Sequence, residues 1–277
     1  MSRVAARGAA TAAVLLAAAC GGNEDAATEA PVLADTPGVE EPEAESPEEG
    51  SWSYEGPTGP AAWAELEADY ATCATGQRQS PVDLIDASEA PSGEAARVTY
   101  DHQPASYEVV HTGHTIQADV DSPAGGITVD GEEYELLQFH AHLPSEHAFD
   151  GERADLEVHL VHQNAAGKLA VVGVLVEEGQ SDYALADAWA DLPTGEETVS
   201  LADFDAGTLL PEDRTTYQYE GSLTTPPCTE GVQWLVMQQT ATAPSEVITG
   251  FEDAVGESAR PLQPLNDRNP VLGQPEG

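Results

Sequence analysis

Five of the eight histidines in this 277-residue chain stand between positions 140 and 162. In Gln138-Phe139-His140-Ala141-His142, a strand would set Gln138, His140 and His142 on one face, because side chains alternate with period two. Two imidazoles about 7 Å apart on one face can converge on a single ion. Glu157-Val158-His159-Leu160-Val161 likewise sets Glu157, His159 and Val161 on one face. Antiparallel pairing of the two strands would deliver His159 as a third ligand. Three neutral imidazoles with a fourth position open make the arrangement of a catalytic zinc. A His-x-His pair alone is more often structural, but Gln138 and Glu157 each precede a histidine by two residues on its own face. There each can accept the second ring N–H and fix the tautomer. His162 falls on the opposite face and His147 lies beyond Pro144, so both are expected to be structural.

The elements that must hold these residues read mostly as strands. Runs at Arg97 to Tyr100, Tyr107 to His111, Thr115 to Val120 and Gly126 to Val129 are β-branched or alternating. Asp130-Gly131 is a hairpin signal leading into Tyr134 to Leu143. Asp155 to Gln163 and Leu169 to Val176 are joined through Asn164-Ala165-Ala166-Gly167, and Gln233 to Thr240 is a later apolar strand. Helical signals are few: Pro60 to Tyr70, Ser181 to Ala190 with Ser181 as cap, and Ser245 to Val255. The fold class is mainly β (α+β), an antiparallel sheet with short peripheral helices.

Composition narrows the function. Nine Lys and Arg against 50 Asp and Glu give a formal charge of −41. With the basic residues scattered and Lys168 the only lysine, nothing here could hold a nucleic acid. So acidic a surface repels itself, and adaptation to saline surroundings is an expected trait.

Residues 1–19 read as an export signal, with Arg3 and Arg7 ahead of an apolar run. Leu16-Ala17-Ala18-Ala19 before Cys20 resembles a bacterial lipoprotein signal in which Cys20 is acylated, although Ala17 stands where leucine is usual. The expected location is then the outer face of the cytoplasmic membrane or the periplasm, held by lipid; ordinary secretion is the alternative. Residues 20–50 are rich in acids and prolines and lack Lys and Arg, as a solvated tether does. Residues 51–277 form one domain. In an exported domain the two remaining cysteines, Cys73 and Cys228, most simply pair, the alternative being two separate buried thiols.

Further motifs carry a resemblance. Gln138-Phe139-His140-Ala141-His142, Pro144-Ser145-Glu146-His147, Glu157-Val158-His159-Leu160-Val161-His162 and Ser222-Leu223-Thr224-Thr225-Pro226-Pro227-Cys228 together resemble an α-class carbonic anhydrase of bacterial type. The likeness runs from Trp52-Ser53-Tyr54 and Gly59-Pro60, through Gln79-Ser80-Pro81-Val82, to Arg260-Pro261-Leu262-Gln263-Pro264-Leu265-Asn266. Two departures are Ala141, where an aromatic is usual, and Thr112, where many relatives carry asparagine. Ala141 should point away from the metal.

The resemblance implies a central, twisted, mostly antiparallel ten-stranded sheet and the reversible hydration of carbon dioxide to bicarbonate by a zinc-bound hydroxide. His140, His142 and His159 would hold Zn2+. Thr224 would accept the hydroxide proton and pass its own to Glu146, leaving a lone pair aimed at the substrate. Val161, Val171, Leu223, Val232 and Trp234 match an apolar pocket wall. His114 matches a proton shuttle, with Tyr54 and Thr225 lining the intervening water and His111 competing by proximity. Sulfonamides and anions are the implied inhibitors, a weak esterase activity is an implied side reaction, and a monomer or a dimer fits equally. A metal-free binding module would show a replaced histidine, and a zinc hydrolase would show His-Glu-x-x-His or Gly-x-Ser-x-Gly; neither sign is present.

Overall fold

The structure is a computed structural model that describes residues 51–84, 94–195 and 197–274. All of them belong to one compact unit, Ser46–Gly277. The export signal 1–19, Cys20 and the tether 20–50 lie outside the described residues.

Among the described residues, fourteen strands carry the chain. They are β1 Asp83–Leu84, β2 Val98–His102, β3 Ala105–His111, β4 Ile116–Val120, β5 Gly125–Val129, β6 Glu132–His142, β7 Ala148–Phe149 and β8 Leu156–Asn164. Then follow β9 Leu169–Glu178, β10 Thr198–Phe204, β11 Thr216–Ser222, β12 Glu230–Met237, β13 Ala241–Ala243 and β14 Val271–Gly273. The helices are α1 Trp63–Leu66, α2 Thr72–Thr75, α3 Leu185–Ala188 and α4 Ser245–Val255.

Twelve strands form one sheet in the order β10-β3-β4-β6-β8-β9-β12-β11-β14, with β5 and β2 added beside β6 and β13 beside β9. The pairing is antiparallel except that β12 and β13 both run parallel to β9. The count exceeds the expected ten because two edges are each shared end to end. β6 pairs β4 through Gln138–His140 and β5 through Glu132–Glu135, and β9 pairs first β12 and then β13.

At the sheet's centre every residue of β8 except Gln163 is buried, so its polar residues must find partners inside the protein. Phe139, Ala141, Val158, Leu160, Val172 and Val174 pack on one face, and Val161, Val171, Tyr219, Val232 and Trp234 on the other. Ala141 thus faces away from His140 and His142. Both residues of the Asp130-Gly131 turn have positive φ, 50° and 84°, as a tight hairpin between β5 and β6 requires. The β8–β9 turn is held by Asn164, whose Oδ1 accepts from Ala166 N and Lys168 N, and Lys168 is exposed at its end.

Two helices are shorter than their sequence pattern. Within Pro60–Tyr70 only α1 and a 3-10 turn, Ala68–Tyr70, form, because Glu67 between them is extended at φ −144°, ψ 151°. Within Ser181–Ala190 only α3 forms, since Ser181 Oγ donates to Thr242 O next to β9 instead of capping a helix. α4 matches its expected limits and stops at Gly256, φ 76°.

His162 reaches across the core face to His102, Nε2 to Nε2 at 3.0 Å, and both rings are buried. Burial pushes His102 down to about 4, with Asp205 opposing and Arg214 assisting, and pushes His162 down to about 3, with His102 assisting. The unfolded chain takes up protons below the ordinary value of 6.5, which the folded pair refuses. Stability from the pair is therefore complete above that pH and is lost as the pH falls through the two folded values. Between pH 7 and 4 the melting temperature is expected to fall less in His102→Gln than in the parent chain. Identical pH profiles would remove the pair from the acid response.

Candidate active site

β6 and β8 pair in a register that sets His140 directly opposite His159 and His142 opposite Glu157. Potential ligand atoms of His140, His142 and His159 all lie within 4.8 Å of one another. Hydrogen bonds on the far side of each ring fix where its proton sits. His142 Nδ1 lies 2.6 Å from the Ser258 carbonyl, which can only accept, so Nδ1 carries the proton. His140 Nδ1 donates to Gln138 Oε1 at 2.8 Å, and His159 Nε2 donates to Glu157 Oε1 at 2.9 Å. His140 Nε2, His142 Nε2 and His159 Nδ1 are left as bare lone pairs. Two of these, on His140 and His142, face each other at 3.1 Å. Neutral lone pairs so close repel unless a cation lies between them, and burial keeps both rings neutral by lowering their pKa values. Three imidazoles and no thiolate make a donor set that fits zinc.

Glu157 is fully buried, which alone would raise its pKa, but His147 and His159 hold it well below the usual carboxylate range. Oε1 accepts from His147 Nδ1 at 2.7 Å as well as from His159, and Oε2 accepts from His147 N. His147 Nε2 then accepts from the Tyr219 hydroxyl at 2.6 Å, and Tyr219 accepts from Ser80 Oγ at 2.8 Å. His147 is thus no ligand but the buried brace behind one. Tyr219 and Ser258 escaped sequence reasoning. Ser80 stands in the Gln79-Ser80-Pro81-Val82 motif, but nothing local ties it to the site.

Glu146 is fully buried. Its Oε1 accepts from Arg260 N at 2.8 Å, while Oε2, 3.6 Å from His142 Nε2, has no hydrogen-bond partner. The expected bond from Thr224 to Glu146 is therefore not formed here.

A cavity of about 280 Å³ opens over the three histidines. Val161, Val171, Leu223 and Trp234 make its apolar wall, and Thr224, Thr225, Tyr54 and His114 also line it. Val232 is a correction: it does not line the cavity and is buried in the same apolar cluster as the wall residues Trp234 and Val171. Gln117 and Thr115, not anticipated, line the cavity too. His114 stacks on Trp52 with ring centroids 3.6 Å apart, and burial followed by the nearby His111 lowers its pKa. Cys73 of α2 and Cys228 are joined as a disulfide, beside the loop that carries Thr224.

The fold and this pocket define a class: a β-sheet enzyme whose metal would be held by three strand histidines. The sequence profile for eukaryotic-type carbonic anhydrase matches residues 58–271. The carbonic anhydrase of Neisseria gonorrhoeae is 40% identical over 221 residues, which are 78% of this chain and 86% of that protein. Among solved structures, the α-carbonic anhydrase of Photobacterium profundum is 39% identical with a TM-score of 0.73, covering 82% of this chain and all of that one. The Thermovibrio ammonificans α-carbonic anhydrase, solved with the inhibitor sulfanilamide, is 36% identical with a TM-score of 0.74, covering 82% and 99%. The chain belongs to the α-class carbonic anhydrase family. It is a lyase acting in the hydration of carbon dioxide.

Proposed function

We propose that the chain hydrates carbon dioxide at a zinc ion held by His140, His142 and His159. The three lone pairs turned toward one point by Gln138, Ser258 and Glu157 carry this reading. Bound zinc would supply a hydroxide near neutral pH by lowering the pKa of water to about 7, a magnitude for which carbonic anhydrase is itself the standard example. The chain's residues then orient and exclude. Glu146 Oε2, buried and unpaired, is available to accept from the Thr224 hydroxyl once that hydroxyl turns to it, and the Thr224 oxygen would then be left to accept the nucleophile's O–H. Val161, Val171, Leu223 and Trp234 give an apolar gas a dry wall to rest on. His114, at the cavity and half-buried, suits the relay of protons to bulk water, with Tyr54 and Thr225 bordering the same space.

Thr224→Ala is expected to keep its zinc and lose hydration rate on the order of 10²-fold, as misorientation costs. Stopped-flow hydration beside metal analysis measures both, and an unchanged rate would end the orienting role. The likeness to the sulfanilamide-bound relative supports sulfonamide inhibition at the same cavity.

Acylation at Cys20 and lipid anchorage outside the cytoplasmic membrane are supported by the sequence alone. Cys20→Ser should move the protein from the membrane fraction to the soluble fraction. Mass spectrometry finding Cys20 unmodified would defeat the anchor.

A further inference from the structure

His111 ends β3, and residues 112–115 turn the chain into β4, carrying His114 on the way. Gly113 in this turn has φ +89°, and Thr112 N donates to Thr115 O at 2.9 Å. Thr112 Oγ1 closes the turn upon itself, accepting from Thr115 N at 3.1 Å and donating to Thr115 O at 3.2 Å. These bonds shape the turn but do not fasten it to the rest of the molecule.

Two other side chains fasten it. On the β4 side, Thr115 Oγ1 donates to Ala141 O of β6 at 2.6 Å. On the β3 side the fastening is His111. Its Nε2 lies 3.0 Å from the carbonyl of Ala254, which can only accept, so Nε2 carries the proton. Ala254 belongs to the last turn of α4, where carbonyls have no partner within the helix. With Nε2 protonated, Nδ1 is a lone pair, and it accepts the N–H of Gly113 at 2.9 Å. Both ring nitrogens are thus committed, one to the helix and one to the turn. His114 differs: its ring makes no hydrogen bond among the described residues and lies flat on Trp52.

We propose that His111 is a positioning residue for proton export: its imidazole pins the turn that carries His114 to the end of α4 and so keeps the His114 ring at the mouth of the cavity. The inference rests on the reading of His114 as the proton carrier, and it removes His111 from competition for that role. A ring spent on two bonds cannot pick up and release a proton each cycle without letting go of Gly113.

The test compares His111→Phe, His111→Asn and His114→Ala in the full chain, measuring hydration at saturating carbon dioxide in weak buffer, kcat/KM and zinc content. His114→Ala should lower turnover about tenfold or more, and imidazole buffer should restore much of it. His111→Phe keeps the bulk but loses both bonds. It should lower kcat by several-fold up to about tenfold while kcat/KM and zinc hold, with imidazole again restoring the rate. His111→Asn should keep most of the parent kcat, since an asparagine oxygen accepts from the N–H two residues on. Parent-like kcat in His111→Phe overturns the inference, as does a loss shared by kcat/KM or one imidazole cannot repair. If His114→Ala itself keeps the parent rate, the reading of His114 fails and the inference falls with it. That outcome is distinct from His111→Phe failing alone.

Discussion

Replacing His140, His142 or His159 with alanine is expected to strip the enzyme of zinc and bring carbon dioxide hydration down to near background. Each ring would supply one of three donors, and each is held by an acceptor on its far side: Gln138, the Ser258 carbonyl or Glu157. Loss of such a supporting bond alone typically costs about 10–100-fold in metal affinity or activity, and loss of the ligand itself should cost more. Circular dichroism would separate lost metal from lost fold, since alanine at His142 or His159 leaves a buried acceptor short of one donor. Any of the three variants with parent zinc content and parent rate would sink that ligand's assignment.

Reduction of Cys73–Cys228 should lower the melting temperature strongly. The bond spans 155 residues, and chain-entropy reasoning gives up to about 5 kcal/mol for a loop of that size. Activity should fall too, because Cys228 lies in the same tight loop as Thr224. There Cys228 N donates to Thr225 O and Leu223 N to Thr229 O. Gln79 also donates to the Cys228 carbonyl, tying that loop to the segment of Ser80. A Cys73→Ser, Cys228→Ser double variant should show both losses without reductant. A reduced enzyme with unchanged melting temperature would show that the bond constrains little.

Period-two reading sufficed to place His140 and His142 together, because alternation is a local property of β6. It also brought up His159, because β8 follows β6 closely in the chain, with only the short β7 between them. The supports could not be seen that way. Ser258 is 116 residues from His142, Tyr219 is 72 from His147 and His102 is 60 from His162, and no local pattern links such partners. Val232 was misplaced for a related reason. It shares a buried cluster with Trp234, yet Trp234 lines the cavity and Val232 does not, a difference that residue type and strand alternation do not reveal. The shortened helix near Ser181 shows a tertiary bond overriding local propensity: Ser181, a good cap by type, is spent on Thr242.

The β8–β9 hairpin has a practical side. His159 lies midway along β8, and the turn at the strand's end leads to Lys168, the one lysine in the chain and exposed. Roughly 17 Å of strand separates His159 from that turn. Apart from a terminal amine, an amine-reactive resin or dye would therefore find a single side chain to seize. Immobilised molecules would all hang from the same corner, and a reporter attached there would be homogeneous in position without any engineered tag.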